Sequence, residues 1–320
     1  MLVHEAKIIV CCSKGVSGGP ELLHQLVHEL RANGREAYIA YYPFNISFSC
    51  PEAYKRYDAP QAQLSDEYGT FVVVPETATW IAKYVKKARV GIWWLSVDNY
   101  FLASHNSVIK DLYLRYKSLV RARLPIFRLR NLLHFSQSHY AEKFLQDYSI
   151  PSHQLTDYLS EAHFSNRYFG DGHAKENVVA FNPLKGYKKT KLLVSAYPEI
   201  EFIPIQKMTS QAVAALLRRA KIYIDFGHHP GKDRPPREAA MAGCCVITGR
   251  SGSARYHQDL PILEKYKLDD TTNSYVNGFG MLADSIFKDF SVYVREFDDY
   301  RLKISNEPQV FKQQVRAIFG

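Results

Sequence analysis

The sequence predicts an α/β protein with two Rossmann-like, doubly wound parallel sheets. A chain of 320 residues is too long for one ordinary hydrophobic core and suits two domains of about 150 residues each. Short β-like runs alternate with amphipathic helices in both halves, which is typical of parallel sheets. The apolar content of 46% and the aromatic content of 13% exclude a disordered chain. No run approaches the roughly 18 apolar residues of a membrane span.

The first half begins with a βαβ unit. Strand "KIIV" (7–10) leads through the turn "SKGVSGGP" into the helix "ELLHQLVHELRANG", and "EAYIAYY" follows as the second strand. Pro20 lies at the start of this helix and Gly34 just past its end, as capping preferences predict. The later elements are strands 70–74 and 90–95 around the helical "TATWIAKYVKKA", then "LLHFSQS" and the helix "HYAEKFLQDY". We therefore predict that residues 1–165 form the N-terminal domain.

The second half repeats the alternation. Its predicted elements are strand "NVVAF", loop "NPLKGYKK", helix "TKLLVSAY", strand "EFIPI", helix "TSQAVAALLRRA", strand "KIYIDF" and strand "CCVIT". Residues 166–290 are predicted to form a second Rossmann-like domain. Residues 291–320 are predicted to be C-terminal helices, with packing back on the N-terminal domain as one option. Open parallel sheets bind ligands at the carboxyl ends of their strands, so the two domains are expected to face one central cleft.

Charge and cysteine content restrict the partners. A formal net charge of +9 indicates an anionic partner: nucleic acid, an acidic membrane surface or a phosphorylated small molecule. The five cysteines form neither a disulfide framework nor a metal-ligand spacing. The N-terminus "MLVHEAKIIVCC" is not typical of a signal peptide, so a cytoplasmic location is expected.

The segment "KDRPPREAAMAGCCVITG" (232–249) follows a predicted strand and contains a helix. A helix that begins near Pro236 would direct its unpaired amides at an anion in the cleft. Lys232 and Arg234 lie just before it, which favours a phosphate or pyrophosphate. Glu238 can accept hydrogen bonds from the vicinal hydroxyls of a sugar. The segment therefore predicts a site for a sugar-phosphate group.

These residues and the "KG" loop of Lys185 and Gly186 resemble the nucleotide-binding half of the GT-B glycosyltransferases. In that family the "KG" loop follows the first strand of the second domain, and a helix similar to residues 238–247 presents its glutamate to the ribose of a nucleotide-sugar. The segments "SGGPELLHQLVHELRANGREAYIAY" and "FSQSHYAEKFL" are similar to the family's N-terminal half. The large retaining branch carries a second glutamate at the position of Pro230, so the stereochemical outcome stays open.

The resemblance implies a transferase that moves a sugar from a nucleotide-sugar donor to a lipid-linked or surface-glycan acceptor, such as bacterial lipopolysaccharide or capsule. It also implies an N-terminal domain that binds the acceptor, and no metal or other cofactor. An inverting transfer needs a carboxylate or histidine as base. Glu76 and Asp98 follow consecutive strands of the first domain and are the catalytic candidates.

The donor-binding candidates are Lys185, Gly186, Lys232, Arg234, Glu238, Gly18 and Gly19. The two glycines of the first turn allow close approach of the backbone to a phosphate, besides permitting the turn itself. His228 and His229 flank the phosphate loop. No His, Cys or Asp cluster shows metal-ligand spacing in the sequence.

Residues 110–131 carry seven Lys or Arg and one acid among apolar residues. On a helix this pattern gives a basic amphipathic surface that can hold a protein against anionic lipid, here the cytoplasmic face of the inner membrane. An ordinary surface helix is the alternative.

Two other functions stay open at this point. A sugar-nucleotide epimerase has the same architecture and would interconvert a sugar nucleotide without an acceptor. A nucleic-acid-binding protein would use the positive charge and the 22 tyrosines. No nucleic-acid-binding motif is present, however, and nucleic acid is not expected as a partner.

Overall fold

The computed structural model describes residues 2–101, 123–160 and 175–320. They belong to two compact units, the first formed by residues up to Asp157 together with Pro308–Gly320, and the second by Tyr158–Glu307. The predicted class, α/β with two parallel sheets, is confirmed. The expected domain boundary at 165/166 lies in residues 161–174, outside the described residues, and stays a prediction.

The first unit contains a six-stranded sheet with the order β2-β1-β3-β4-β5-β6, and every pairing is parallel. Its described strands and helices are β1 Lys7–Ser13, α1 Gly18–Ala32, β2 Glu36–Tyr42, β3 Thr70–Pro75, β4 Arg89–Trp94, α2 Val97–Phe101, α3 Ile126–Leu129, β5 Leu133–Ser136, α4 His139–Asp147 and β6 His153–Gln154. All six residues of β3 are buried, as expected for a central strand covered on both faces.

The second unit contains a four-stranded parallel sheet with the order β10-β9-β7-β8. Its described strands and helices, with the helix that continues into the first unit, are β7 Glu176–Phe181, α5 Tyr187–Ala196, β8 Glu201–Pro204, α6 Ser210–Arg219, β9 Ala220–Asp225, α7 Arg234–Met241, β10 Cys245–Thr248, α8 Ser274–Lys288, α9 Phe290–Arg295 and α10 Asp298–Phe319. The apolar faces of these elements bury one continuous core.

Two elements differ from the sequence prediction. The helix expected at 77–88 is a 3-10 helix, Glu76–Lys83, with non-helical backbone at Ala78. The helix predicted from "PQVFKQQVRAIF" would begin at Pro308, because proline favours the first helical position. The last helix instead begins at Asp298 and continues through Pro308. The boundary between the two units falls at this residue.

The proposed membrane segment is described only in part. Residues 110–122 lie outside the described residues, and residues 123–131 include the short helix α3. Within the described ranges, no helix combines the length and the apolar character that are needed to cross a bilayer. Binding of the segment to a membrane surface stays a prediction.

Strand order places one ligand crevice in each unit. In the first sheet, β2 lies on one side of β1 and β3 lies on the other. In the second sheet, β8 lies on one side of β7 and β9 lies on the other. Ligands of open parallel sheets bind at such reversal points, beyond the carboxyl ends of the strands. The loops after β1 and β3, and those after β7 and β9, are therefore the places where function is expected.

Candidate functional site

In the second unit, the loops after β7 and β9 pack backbone against backbone. Gly186 has φ of +63°, and a Cβ atom there would lie 2.4 Å from the carbonyl carbon of Phe226. A Cβ atom on Gly227 would lie 2.4 Å from Cβ of Lys185. Only glycine fits such contacts. The "KG" of the sequence motif therefore joins the two loops of the crevice and fixes Lys185 at its edge.

Lys185 is held by an aspartate of the neighbouring loop. Its ammonium Nζ lies 2.5 Å from Oδ2 of Asp233, and about a third of the side chain is exposed (32%). Burial works against the charge, but the carboxylates of Asp233 and Asp225 outweigh it and raise the pKa of Lys185. The structure thus presents a fixed ammonium group at the mouth of the crevice.

Helix α7 begins at Arg234, so Pro235 and Pro236 are its second and third residues. Proline has no amide hydrogen, and a helix N-terminus attracts anions mainly through the amides of its first turn. The expectation that unpaired amides of this helix bind the anion is therefore weakened. Side chains around the helix start must supply most of the positive charge.

Two of the predicted donor-site residues pair with each other. Nε of Arg234 lies 3.0 Å from Oε1 of Glu238, one turn further along α7, and 44% of the arginine side chain is exposed against 17% for the glutamate. Arg234 directly follows Asp233, the partner of Lys185. Their roles toward phosphate and ribose stay predictions.

Lys232 is directed elsewhere. Its Nζ lies 2.7 Å from Oε1 of Glu307, and Arg237 donates to Oε2 of the same carboxylate at 2.8 Å. All three side chains are less than 10% exposed. Lys232 can act on a phosphate only if this buried ion pair opens, so its role as a donor ligand stays a prediction. No sequence pattern pointed to Glu307, because it lies 70 residues from Arg237.

Three further side chains, which were not predicted to lie together, meet between β9 and α7. Asp225 ends β9, His229 lies in the following loop and Asp233 precedes α7, and one ligand atom from each lies within 4.8 Å of the others. No His, Cys or Asp cluster with metal-ligand spacing was predicted from the sequence, whereas the structure brings these three side chains together. The spacing of four residues resembles a helical pattern, but here a strand end, a loop and a helix cap bring the residues together. That no metal is needed stays a prediction.

In the first unit, the Gly-rich turn follows β1 and passes into α1. Gly18 and Gly19 are the first two residues of that helix, and neither has positive φ. Among the described residues, a Cβ atom on Gly18 would meet nothing within 4 Å, and one on Gly19 would lie 3.7 Å from Cδ1 of Leu95. The space beside Gly18 is compatible with a close ligand. A phosphate role for the two glycines stays a prediction.

Glu76 lies at the end of β3, and its Oε2 accepts a hydrogen bond from the amide of Leu95 at 2.9 Å. The carboxyl group therefore ties together the ends of two strands. It is almost fully buried (2% exposed), and burial raises its pKa to about 7, against the opposing effects of backbone amides and of Arg123. A carboxyl group that titrates near neutrality has the acidity expected of a general base. The catalytic role stays a prediction, and the group also has a structural one.

This raised pKa makes the stability of the protein depend on pH. Between about pH 4.5 and pH 7 the unfolded chain releases the proton of Glu76 while the folded chain keeps it, so the free energy of unfolding falls as pH rises. At 1.36 kcal/mol per pH unit the loss is about 3 kcal/mol, complete above pH 7. Urea unfolding of the wild type and of Glu76→Gln at pH 4.5, 6 and 8 checks it. A pH-independent difference between the two proteins would contradict the assignment.

Asp98, the second catalytic candidate, lies in the first turn of α2 and is buried. The hydroxyl of Tyr140 donates to its Oδ1 at 3.4 Å. Asp98 therefore has a partner from α4, and its catalytic role stays a prediction.

Solved structures similar to this chain include glycosyltransferases that bind nucleotides. The Anabaena protein HepE, in complex with UDP-glucose, has a TM-score of 0.59 and 12% identity over 97% of this chain and 98% of its own. An alpha-glucosyltransferase in complex with UDP has a TM-score of 0.58 and 11% identity over 98% and 100%. Sucrose-phosphate synthase from Thermosynechococcus elongatus has a TM-score of 0.55 and 11% identity over 98% and 95%. The chain has the GT-B fold.

No protein-family model and no curated protein matches the sequence. At 12% identity or less, the similar structures show the fold alone. The GT-B fold agrees with the resemblance drawn from the "KG" loop and the helix of Glu238. In this chain the "KG" loop packs on the loop after β9, which leads into the helix of Glu238.

Proposed function

We propose that this chain is a glycosyltransferase that moves a sugar from a nucleotide-sugar to a lipid-linked or surface-glycan acceptor, such as lipopolysaccharide or capsule. The observation that carries the proposal is the crevice of the second unit. There the loop of Lys185 and Gly186 packs on the loop after β9, and Arg234 and Glu238 follow on the next helix. Cations suit the diphosphate of a sugar nucleotide, and a carboxylate suits the hydroxyls of its ribose.

The charges of the crevice fit the departure of a nucleoside diphosphate. Glycosyl transfer breaks the bond between the sugar and the diphosphate, and negative charge grows on the leaving oxygen. The ammonium of Lys185 and the guanidinium of Arg234 are two cations in this part of the described chain. UDP-sugars are the first donors to test, because HepE and the alpha-glucosyltransferase bind UDP-glucose or UDP.

On the acceptor side, Glu76 is the proposed general base and Asp98 is the second candidate for that role. The pKa of Glu76, about 7, suits removal of a proton from an acceptor hydroxyl near neutral pH. Support for a glycan on a lipid carrier comes from the formal charge of +9 and from the basic segment 110–131, both of which favour an anionic surface. Peripheral association with the inner membrane is part of this proposal.

Nucleotide binding provides the direct test. We expect one nucleotide among UDP, GDP, CMP and ADP, or its sugar, to raise the melting temperature. A ligand at 100 times its Kd adds about 2.7 kcal/mol to the free energy of unfolding, which corresponds to several degrees. Glu238→Ala and Lys185→Ala should lose this rise. The matched controls Glu199→Ala and Lys191→Ala, both exposed in the same unit, should keep it.

The fate of the sugar distinguishes the competing functions. Incubation with the stabilising nucleotide-sugar and a lipid-linked glycan should release the nucleotide and lengthen the glycan. Conversion of the sugar nucleotide without any acceptor would identify an epimerase. One similar structure holds a DNA oligomer beside UDP. DNA is therefore tested as a second acceptor besides the lipid-linked glycan. Salt-sensitive DNA binding without any nucleotide-sugar binding would refute the proposal.

A further inference from the structure

The start of helix α7 has an unusual cap. Asp233 occupies the N-cap position, but its side chain accepts no capping hydrogen bond. An N-cap aspartate normally accepts from the amide of the second or third helical residue. In this chain those residues are Pro235 and Pro236, which have no amide hydrogen. The sequence "DRPP" therefore leaves the carboxylate of Asp233 available for other partners.

Those partners are the ammonium of Lys185 and the ring of His229. Oδ2 of Asp233 lies 2.5 Å from the ammonium of Lys185 and 3.6 Å from Nδ1 of His229. The carboxylate is 11% exposed and the histidine ring 3%. Asp233 thus links the loop after β7 to the loop after β9, beyond the carboxyl ends of the two strands.

His229 is fixed from both sides. Its other ring nitrogen, Nε2, lies 3.6 Å from Oδ1 of Asp225, so each nitrogen faces a different carboxylate. Its backbone forms a parallel bridge with Gly252, and its carbonyl accepts from the amide of Ser253 at 2.8 Å. Gly252 has φ of +67°, and a Cβ atom there would lie 2.1 Å from that carbonyl oxygen. The ring therefore has little freedom to leave the two carboxylates.

We propose that His229, held as an imidazolium between Asp225 and Asp233, is a positioning residue that sets the ammonium of Lys185 for the diphosphate of the donor. This inference rests on the proposed function. The chain of contacts runs from Asp225 to His229, then to Asp233 and finally to Lys185. Both ring contacts, at 3.6 Å, are ion-pair distances, and a buried ring between two carboxylates is stabilised by a positive charge.

The charges around His229 favour its protonated form. The facing groups are Asp225 from β9, Asp233 from the start of α7 and Lys185 from the loop after β7. Burial alone would lower the pKa of His229, but the two carboxylates outweigh it and raise the pKa. With the ring protonated, two anions and two cations balance. Loss of the proton leaves a net negative charge beside the place proposed for a diphosphate.

A bound metal ion is the competing interpretation of the same three residues. Asp233, however, already pairs with the ammonium of Lys185 at 2.5 Å. This contact favours the imidazolium over a metal ion.

The first experiment measures the proton itself, in the wild-type protein without nucleotide. Long-range proton–nitrogen NMR of the histidine side chains, with His229→Gln for assignment, should show both His229 nitrogens protonated at pH 7 and titration above the usual 6.5. A single-tautomer neutral ring at pH 7 would overturn the proposal. So would a stoichiometric shift of the His229 signals by Mn²⁺ or Zn²⁺ alone at that pH.

The second experiment measures the consequence for the donor. With the nucleotide-sugar that binds best, we expect the wild-type KM to rise about tenfold as pH increases through the pKa of His229, with kcat changed less than threefold. His229→Gln should show the high KM at every pH, and circular dichroism should confirm that it folds. The control His257→Gln, exposed in the same unit, should keep the wild-type profile.

The two experiments separate the two claims. If no nucleotide binds the wild-type protein, the proposed function fails while the NMR titration still decides the state of His229. If nucleotides bind and His229→Gln retains the wild-type pH profile, the positioning role is refuted and the transferase stands.

Discussion

Replacing Gly186 with alanine is expected to lower the free energy of unfolding by about 3 kcal/mol and to abolish nucleotide binding. At φ of +63° an L-residue with a Cβ atom costs about 1 kcal/mol. The methyl group would also lie 2.4 Å from the carbonyl carbon of Phe226, and overpacking of this kind costs about 1 to 3 kcal/mol. The loops after β7 and β9 must separate to admit it, and Lys185 moves with them.

Urea unfolding followed by circular dichroism, and thermal shift with the best nucleotide, measure the two effects. Gly278→Ala is the matched control. Gly278 lies inside helix α8, and a Cβ atom there would make an ordinary 3.6 Å contact with Leu268. Since alanine is the better helix former, this variant should be as stable as the wild type or more so by up to about 1 kcal/mol. Nucleotide binding by Gly186→Ala at wild-type strength would show that the loop contact is not part of the site.

Replacing Glu307 with alanine is expected to lower the free energy of unfolding by about 3 to 5 kcal/mol. The carboxylate of Glu307 forms ion pairs with both Lys232 and Arg237, whose side chains are 9% and 2% exposed. Removing one partner of a buried ion pair leaves uncompensated charge in a medium of low polarity, which is the costly way to break it. Here one substitution removes the carboxylate that two buried cations share at the start of α7.

A surface pair provides the comparison. Asp284 and Lys288 form an ion pair on α8 at 2.7 Å, but both side chains are more than 60% exposed. Asp284→Ala should therefore change the free energy of unfolding by less than about 1 kcal/mol. Urea denaturation of both variants at pH 7 makes the comparison. A loss below about 1 kcal/mol for Glu307→Ala would mean that Lys232 and Arg237 reach water or another anion once Glu307 is removed.

The amino-acid sequence by itself determined the fold class and the place of the candidate site. Hydrophobic periodicity and glycine-rich turns are local properties, so the alternation of strands and helices and the parallel sheets could be predicted. The "KG" loop and the helix of Glu238 each follow a strand, and parallel strands bring their carboxyl ends to one edge. Their meeting at the crevice after β7 and β9 therefore follows from order along the chain.

Only the tertiary structure decided which charges meet. Asp233 could not be assigned to Lys185 from the sequence, because the two residues lie 48 positions apart and any exposed acid was an equal candidate. The pairing of Lys232 with Glu307 and the burial of Glu76 were hidden for the same reason. Charge pairing and desolvation depend on three-dimensional distance and on exclusion of water, whereas periodicity depends only on neighbours along the chain.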